Sequence, residues 1–281
     1  MRNVLFVTGA VLFAAAAVSC GSGSEDIEGV ETFDVDGVKV TWIRDNAQPR
    51  IMERTLFSDA PDSLIDALGL QDGVPASISV FLVEKDGRKM LFDTGLGMPG
   101  CRLLPSLEAI GLEPEDIDCI FLTHFHGDHI GGMVADSVSV FPEADVYAAR
   151  AEYDAWMAMP ADAKAQVEKT MEIYGDRVHL FGAGDSLPYG VEAVAAPGHT
   201  PGHTAYQIGK LLIVGDLMHG VALQMPHPEV CANYDMDKPM AAATRVGILE
   251  YAKNDKLVMA GMHFPEPGII SAGIQEESQS L

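Results

Sequence analysis

Cysteine is scarce and never closely paired: the chain has four, none in a CxxC spacing. That argues against a thiolate zinc site, which takes its sulfurs from closely spaced pairs. Basic residues are also few. Eighteen Lys and Arg stand against 41 Asp and Glu, for a formal net charge of -23 and a pI near 4.5. A surface this acidic repels nucleic-acid phosphates and the anionic face of a membrane, so no nucleic-acid partner is expected. After the first twenty residues no apolar run is long enough to span a bilayer. No period of solenoid or propeller length recurs. What is present is ordinary globular material, 48% hydrophobic and 21% charged, enough for a sizeable core.

The first nineteen residues read as a signal rather than as part of the fold. Met1 and Arg2 precede an apolar run from Val4 to Val18, which is short for a spanning helix. It ends in Ala17-Val18-Ser19-Cys20, followed by Gly21-Ser22-Gly23-Ser24. The segment resembles a bacterial lipoprotein signal, in which cleavage leaves a lipid-bearing cysteine. That implies an exported chain held in the bacterial cell envelope by a lipid on Cys20, facing the periplasm or the cell surface. Residues 20–33 read as a flexible tether and residues 34–281 as a single domain. Cys119, inside the apolar stretch Asp118 to Leu122, reads as a buried thiol. Whether Cys101 and Cys231 pair is left open.

From Val35 onward short apolar runs alternate with turns. Strands are expected at Val38–Ile43, Ile78–Val83, Lys89–Phe92, Ile117–Leu122, Asp145–Ala148, Val191–Ala196 and Leu211–Val214, with a last one at Leu257–Gly261. Lys85-Asp86-Gly87-Arg88 is a hairpin signal. Helices are expected at Leu103–Gly111, at Ala151–Tyr174 with a break at Pro160, and at Met240–Lys253. The mixture is α/β without a clean βαβ alternation. Hairpins early and late suggest two packed sheets with helices outside.

The chemistry concentrates in Thr123-His124-Phe125-His126-Gly127-Asp128-His129. After a strand, residues two apart face the same way, so His124 and His126 can meet one metal. Gly127 is expected to let the chain turn sharply and bring Asp128 and His129 to a second. Imidazole and carboxylate suit zinc, iron or manganese rather than calcium. Burying three His and one Asp in six residues without a metal is costly. Three further candidates follow strands: His199 in Pro197-Gly198-His199-Thr200-Pro201-Gly202-His203-Thr204, Asp216 after Leu211–Val214, and His263 after Leu257–Gly261. Strand ends converging on one point make a rigid platform.

These motifs resemble the metallo-β-lactamase superfamily, from about Val35 to Ile270. The resemblance implies a four-layer αββα sandwich with a two-metal site at one edge. It implies one zinc on His124, His126 and His199, a second on Asp128, His129 and His263, and Asp216 bridging both together with a hydroxide. Other divalent metals are possible. His203 would be structural, and Asp93, in Phe92-Asp93-Thr94-Gly95, would support the loop beneath the site unless it is a plain turn residue. His219 is either a substrate contact or an exposed loop residue. His179 and His227 have no motif. Phe125, Met218 and Met225 could form an apolar wall of the site or core packing.

The implied activity is metal-dependent hydrolysis of a small molecule at a carbonyl or phosphoryl centre, with Asp128 and Asp216 as catalytic groups. Asp216 argues against a dedicated β-lactamase. The stretches Met225 to Arg245 and Met262 to Gly268 look most like the methyl parathion hydrolase and lactonase-like branch, which includes quorum-quenching lactonases. Lactone or ester hydrolysis is expected first, phosphotriester hydrolysis second and β-lactam hydrolysis third. A mononuclear iron dioxygenase on the same scaffold is the alternative from another class. Family members often dimerise, so a homodimer is possible.

Overall fold

The computed structural model describes residues 27–271. The signal segment, Cys20 and the first half of the expected tether lie outside the described residues. The tether's C-terminal end requires a correction. Residues 30–33, assigned to it from composition, belong to the first strand, Val30–Val35, which pairs antiparallel with Val38–Arg44. The run Val-Glu-Thr-Phe has the β-branched and aromatic residues a strand edge favours, which the preceding Gly/Ser-rich stretch obscures.

Two sheets face each other. The larger has seven strands, in spatial order Val30–Val35, Val38–Arg44, Ser79–Lys85, Arg88–Phe92, Cys119–Phe121, Asp145–Ala149 and Val178–Phe181. Its first four are antiparallel and the rest run parallel. The smaller has Glu192–Ala195, Thr204–Ile208, Leu211–Gly215, Val258–Gly261 and Ile269–Ser271. The strand expected to be last is therefore not last. Ile269–Ser271 returns beside it, too short and too near Pro-Gly-rich sequence for periodicity to reveal.

The strands read as continuous apolar runs because both of their faces are buried. In Ser79–Lys85, Val80 and Leu82 pack outward while Phe81 and Val83 pack between the sheets. Leu211 and Ile213 face the inter-sheet layer, and Leu212 and Val214 face the other way. The outer face of the large sheet is covered by Leu103–Ala109 and Ala161–Tyr174, through Leu107, Val167 and Met171. The outer face of the small sheet is covered by Lys238–Asn254, through Ile248 and Ala252. Helix, sheet, sheet, helix is the order the sandwich demands. Pro160 separates Arg150–Met157 from Ala161–Tyr174, as its missing N–H requires. Asp86 and Gly87 take positive φ, at 51° and 76°, closing the expected hairpin.

Cys101, Cys119 and Cys231 are all free thiols, and burial pushes the Cys119 thiol up to about 12. No helix among the described residues is long and apolar enough to cross a membrane.

Candidate metal centre

Four strands deliver side chains to one end of the sandwich. His124 follows Cys119–Phe121, His199 follows Glu192–Ala195, Asp216 follows Leu211–Gly215 and His263 follows Val258–Gly261. The two sheets are tied at this end. Thr204 N donates to Thr123 O at 2.9 Å, and the Tyr206 hydroxyl donates to Leu122 O at 2.7 Å.

Gly127 makes the expected sharp turn without a left-handed backbone. It opens a short helix, Gly127–Ile130, with His126 just before it. The helical step is what swings Asp128 and His129 away from His124 and His126. In the second motif the glycines are needed for close approach. A Cβ on Gly202 would overlap the main chain at Glu152, and one on Gly198, at φ 131°, would overlap Ala241.

All seven expected residues converge. His124 Nε2, His126 Nδ1 and His199 Nε2 lie 2.9, 2.9 and 3.2 Å from one another. Ligands around a tetrahedral ion with bonds near 2.0–2.1 Å are separated by roughly 3.3 Å, so the spacing suits a metal. Asp128, His129 and His263 form a second group of three. His263 Nε2 is 3.4 Å from Asp128 Oδ2, and His129 Nε2 is 3.7 Å from Asp128 Oδ1. Asp216 sits between the groups, with Oδ2 3.4 Å from His199 Nε2 and 3.0 Å from His263 Nε2. His129 Nε2 and Asp216 Oδ1 are buried, and neither has a hydrogen-bond partner. Two orphaned polar atoms facing each other at 3.2 Å fit a cation between them and are costly without one. The cluster is compatible with a dinuclear metal site.

The other ring nitrogens are held so that the correct atom points inward. His129 Nδ1 donates to Asp93 Oδ2 at 2.7 Å, and His263 Nδ1 to Ser77 O at 2.8 Å. His199 Nδ1 donates to Asp235 Oδ1 at 3.0 Å. His124 Nδ1 donates to Thr123 Oγ1, which donates on to Asp93 Oδ2 at 2.7 Å. Asp93 therefore supports the site, at φ 60°, and is not a plain turn residue. His203 Nδ1 donates to Ala196 O, and its Nε2 accepts the main-chain N–H of Asp216 at 3.0 Å. It fixes the carboxylate's backbone without facing either group. The stretch from Met225 to Arg245 supplies Asp235, and Arg245 Nη2 pairs with Asp235 Oδ2 at 3.3 Å.

Electrostatics divides the two groups. Burial lowers the pKa of His126 and His199 to about 4, and holds His124 well below its ordinary value. These rings are neutral near pH 7, as metal ligands must be. Burial also opposes charge on His129, but Asp216, Asp93 and Asp128 outweigh it and raise its pKa well above the usual imidazole range. His263 is raised by Asp216 and Asp128 in the same contest. Burial disfavours ionised Asp216, yet His129, His263 and His124 hold it well below the carboxylate range. Without a metal, protons on His129 and His263 stand where the second cation's charge would be.

The remaining expectations resolve as follows. His219 is buried beside the centre, its Nε2 3.2 Å from Asp216 Oδ2 and its ring stacked on His263 at 5.0 Å. It is not an exposed loop residue. His179 and His227 lie elsewhere, partnered by Asp145 and Glu229. Phe125, Met218 and Met225 pack in the core clusters and do not line the cavity. The cavity, about 340 Å³, is walled instead by Arg50, Met52 and Tyr234 together with the metal-binding type residues. A larger cavity of about 560 Å³ lies behind the Pro197–Thr204 loop, lined mostly by small apolar residues.

Sequence reasoning missed Glu152. It is buried, and its carboxylate accepts from Phe125 N, Trp156 Nε1, Thr200 Oγ1 and Gly202 N at 2.7–3.1 Å. Burial raises its pKa and the four donors oppose that. Only the carboxylate form can accept from all four. One side chain thus fastens the loop bearing His124 and His126 to the loop bearing His199. In Glu152→Gln the amide nitrogen would face donors instead of accepting them. We expect a loss of about 2–4 kcal/mol in urea unfolding of the metal-free protein, together with weaker metal retention. A loss below about 0.5 kcal/mol would show that the fastening is not needed.

Comparison with known proteins agrees with this geometry. The Metallo-beta-lactamase superfamily profile matches residues 73–261. A hydroxyacylglutathione hydrolase of Salmonella arizonae is 32% identical over 156 residues, 51% of each protein. One of Erwinia tasmaniensis is 30% identical over 153 residues, again 51% of each. The chain thus spans about half the length of the curated relatives it matches. Among solved structures, the hydrolase AbOPH of the beta-lactamase superfamily superposes with a TM-score of 0.77 at 28% identity, covering 88% of this chain and 94% of that one. AidC, a dizinc quorum-quenching lactonase, superposes with a TM-score of 0.76 at 24% identity, covering 87% and 94%, and shares the fold.

Proposed function

The chain belongs to the metallo-beta-lactamase superfamily, and from that premise we propose that it is a dinuclear zinc hydrolase acting on a lactone, an ester or a phosphotriester. The observation behind the proposal is the pair of three-residue groups sharing one buried carboxylate, Asp216. His124, His126 and His199 would hold one ion, Asp128, His129 and His263 the other, and Asp216 both. Two such ions supply an acidified water and positive charge for a developing oxyanion.

The chain's own residues do the rest. Asp128 is the most exposed carboxylate of the centre, with its side chain 25% accessible, and it faces the cavity. It is placed to hold a proton and pass it to the leaving group. His219 lines the same cavity, its Nε2 beside Asp216, and helps to shape the wall against which the substrate packs. Lactones and esters rank first and phosphotriesters second. Their support is the intact Asp216 and the fold shared with a protein named as a lactonase.

The test is metal analysis of purified protein, paired with initial rates on lactones, aryl esters, phosphotriesters and a chromogenic β-lactam. Two zinc ions per chain with turnover on the first three classes is the expected result. One iron per chain and no hydrolysis of any substrate would replace this reading with dioxygenase chemistry.

A further inference from the structure

Among the residues lining the metal cavity only one is a permanent cation, Arg50. It opens Arg50–Met52, a strand paired with Val74–Ala76 in a small ribbon. The register sets Arg50 opposite Ala76, one residue before Ser77, whose carbonyl orients His263. The ribbon that positions a residue of the second group therefore also builds Arg50 into the wall. Met52, from the same strand, is buried and lines the cavity beside it.

What sets Arg50 apart is its lack of a partner. The chain has 41 acidic residues for 18 basic ones, so carboxylates are plentiful. Arg44, Arg54, Arg88, Arg102 and Arg245 each pair with one. Arg150 and Arg177 donate to main-chain carbonyls. Among the arginines of the described residues, only Arg50 has a side chain that makes no hydrogen bond or ion pair. The two carboxylates of the cavity, Asp128 and Asp216, are already engaged by His129 and His263.

We propose that Arg50 is a specificity-determining residue, and that the substrate is an ester or lactone bearing an anionic group, a carboxylate, away from the bond that is cleaved. This rests on the hydrolase reading above. A guanidinium matches a carboxylate with two parallel N–H···O bonds. A neutral apolar group packed against the same wall strips water from an unpaired charge and returns nothing. The formal net charge of -23 repels anions at a distance, and with the metal ions taken up by the reacting bond, a cation on the wall favours an anionic group carried away from it.

The experiment compares mono(para-nitrophenyl) glutarate with its methyl-capped diester on the zinc-loaded protein. For the wild-type protein the charged ester has the lower KM. In Arg50→Ala the ratio of kcat/KM, charged over capped, falls about ten- to a hundredfold, mostly through KM. Arg50→Lys recovers part of it, because the charge returns without the fork. Calorimetric binding of monomethyl glutarate against dimethyl glutarate runs alongside. If neither nitrophenyl ester is cleaved, the hydrolase reading is decided by the wider substrate panel and the metal analysis, and the binding preference still decides on Arg50. Equal ratios in wild-type and Arg50→Ala proteins, or equal binding of the two glutarates, would overturn the inference.

Discussion

Asp216→Ala is expected to lower turnover on any substrate of the enzyme by at least about a thousandfold. The carboxylate is buried among imidazoles from four parts of the chain, within 3.0–3.8 Å of His124, His129, His199, His219 and His263. Each of those rings relies on it. Without Asp216, the largest of the charges that raise His129 and His263 is gone, and the carboxylate between the two three-residue groups is lost. Asp216→Asn separates charge from shape: the amide fills the space, and its main-chain N–H still donates to His203. We expect it to be nearly as impaired as the alanine variant, with fewer than two zinc ions retained per chain. Activity above about a tenth of wild type in either variant would mean that the two ions do not share this carboxylate.

The site was more legible in sequence than the supports that hold it. His124, His126, Asp128 and His129 crowd into six residues, and no packing argument accounts for that density. His199, Asp216 and His263 each follow an apolar run, so strand reading alone places them at one kind of end. The supports have no such signature. Glu152 stands in the first turn of Arg150–Met157, where an acidic residue reads as a partner for the helix dipole. Its buried donors lie as far off as Gly202, 50 residues along the chain. Asp235 meets His199 across 36 residues, a pairing that only the packing of Lys238–Asn254 against the small sheet creates. At Gly127 the sharp turn was legible, but not that a short helix would make it. Phe125 was legible as apolar but not as inward or outward. Its neighbours on either side, His124 and His126, face the metal group, and Phe125, four residues past the strand end, points the other way into the core.

On the proposed dinuclear reading, metal removal should abolish activity and lower the melting temperature by more than about 10 °C, since two ions held at a large excess over their Kd would contribute several kcal/mol. The size of that gap should depend on pH in a stated direction. In metal-free protein the pKa of His129 is raised, so its contribution to stability is complete below the ordinary imidazole pKa. It is lost as pH rises through the higher folded value. Asp216 is depressed, so its contribution is present above the ordinary carboxylate pKa and is lost only as pH falls through the lower folded value. Metal-free protein is therefore best held near neutral pH: it weakens toward alkaline pH as His129 and His263 lose their protons, and toward acid, where unfolding lets His126 and His199 take protons that their folded pKa of about 4 refuses. Loaded protein should escape that alkaline loss, because an ion held by His129 and His263 would replace their protons. Binding must first displace those protons, so affinity at this group should rise up to about a hundredfold per pH unit where both rings are protonated. The His124, His126 and His199 group carries no such burden, since His126 and His199 are neutral above about 4. Acidification should then release one ion well before the other, leaving a singly loaded protein at mildly acidic pH. Calorimetric titration of zinc in two buffers of different ionisation enthalpy measures the displaced protons directly. More than one proton per chain near neutral pH is expected, and none would show that His129 and His263 are not what the second ion displaces.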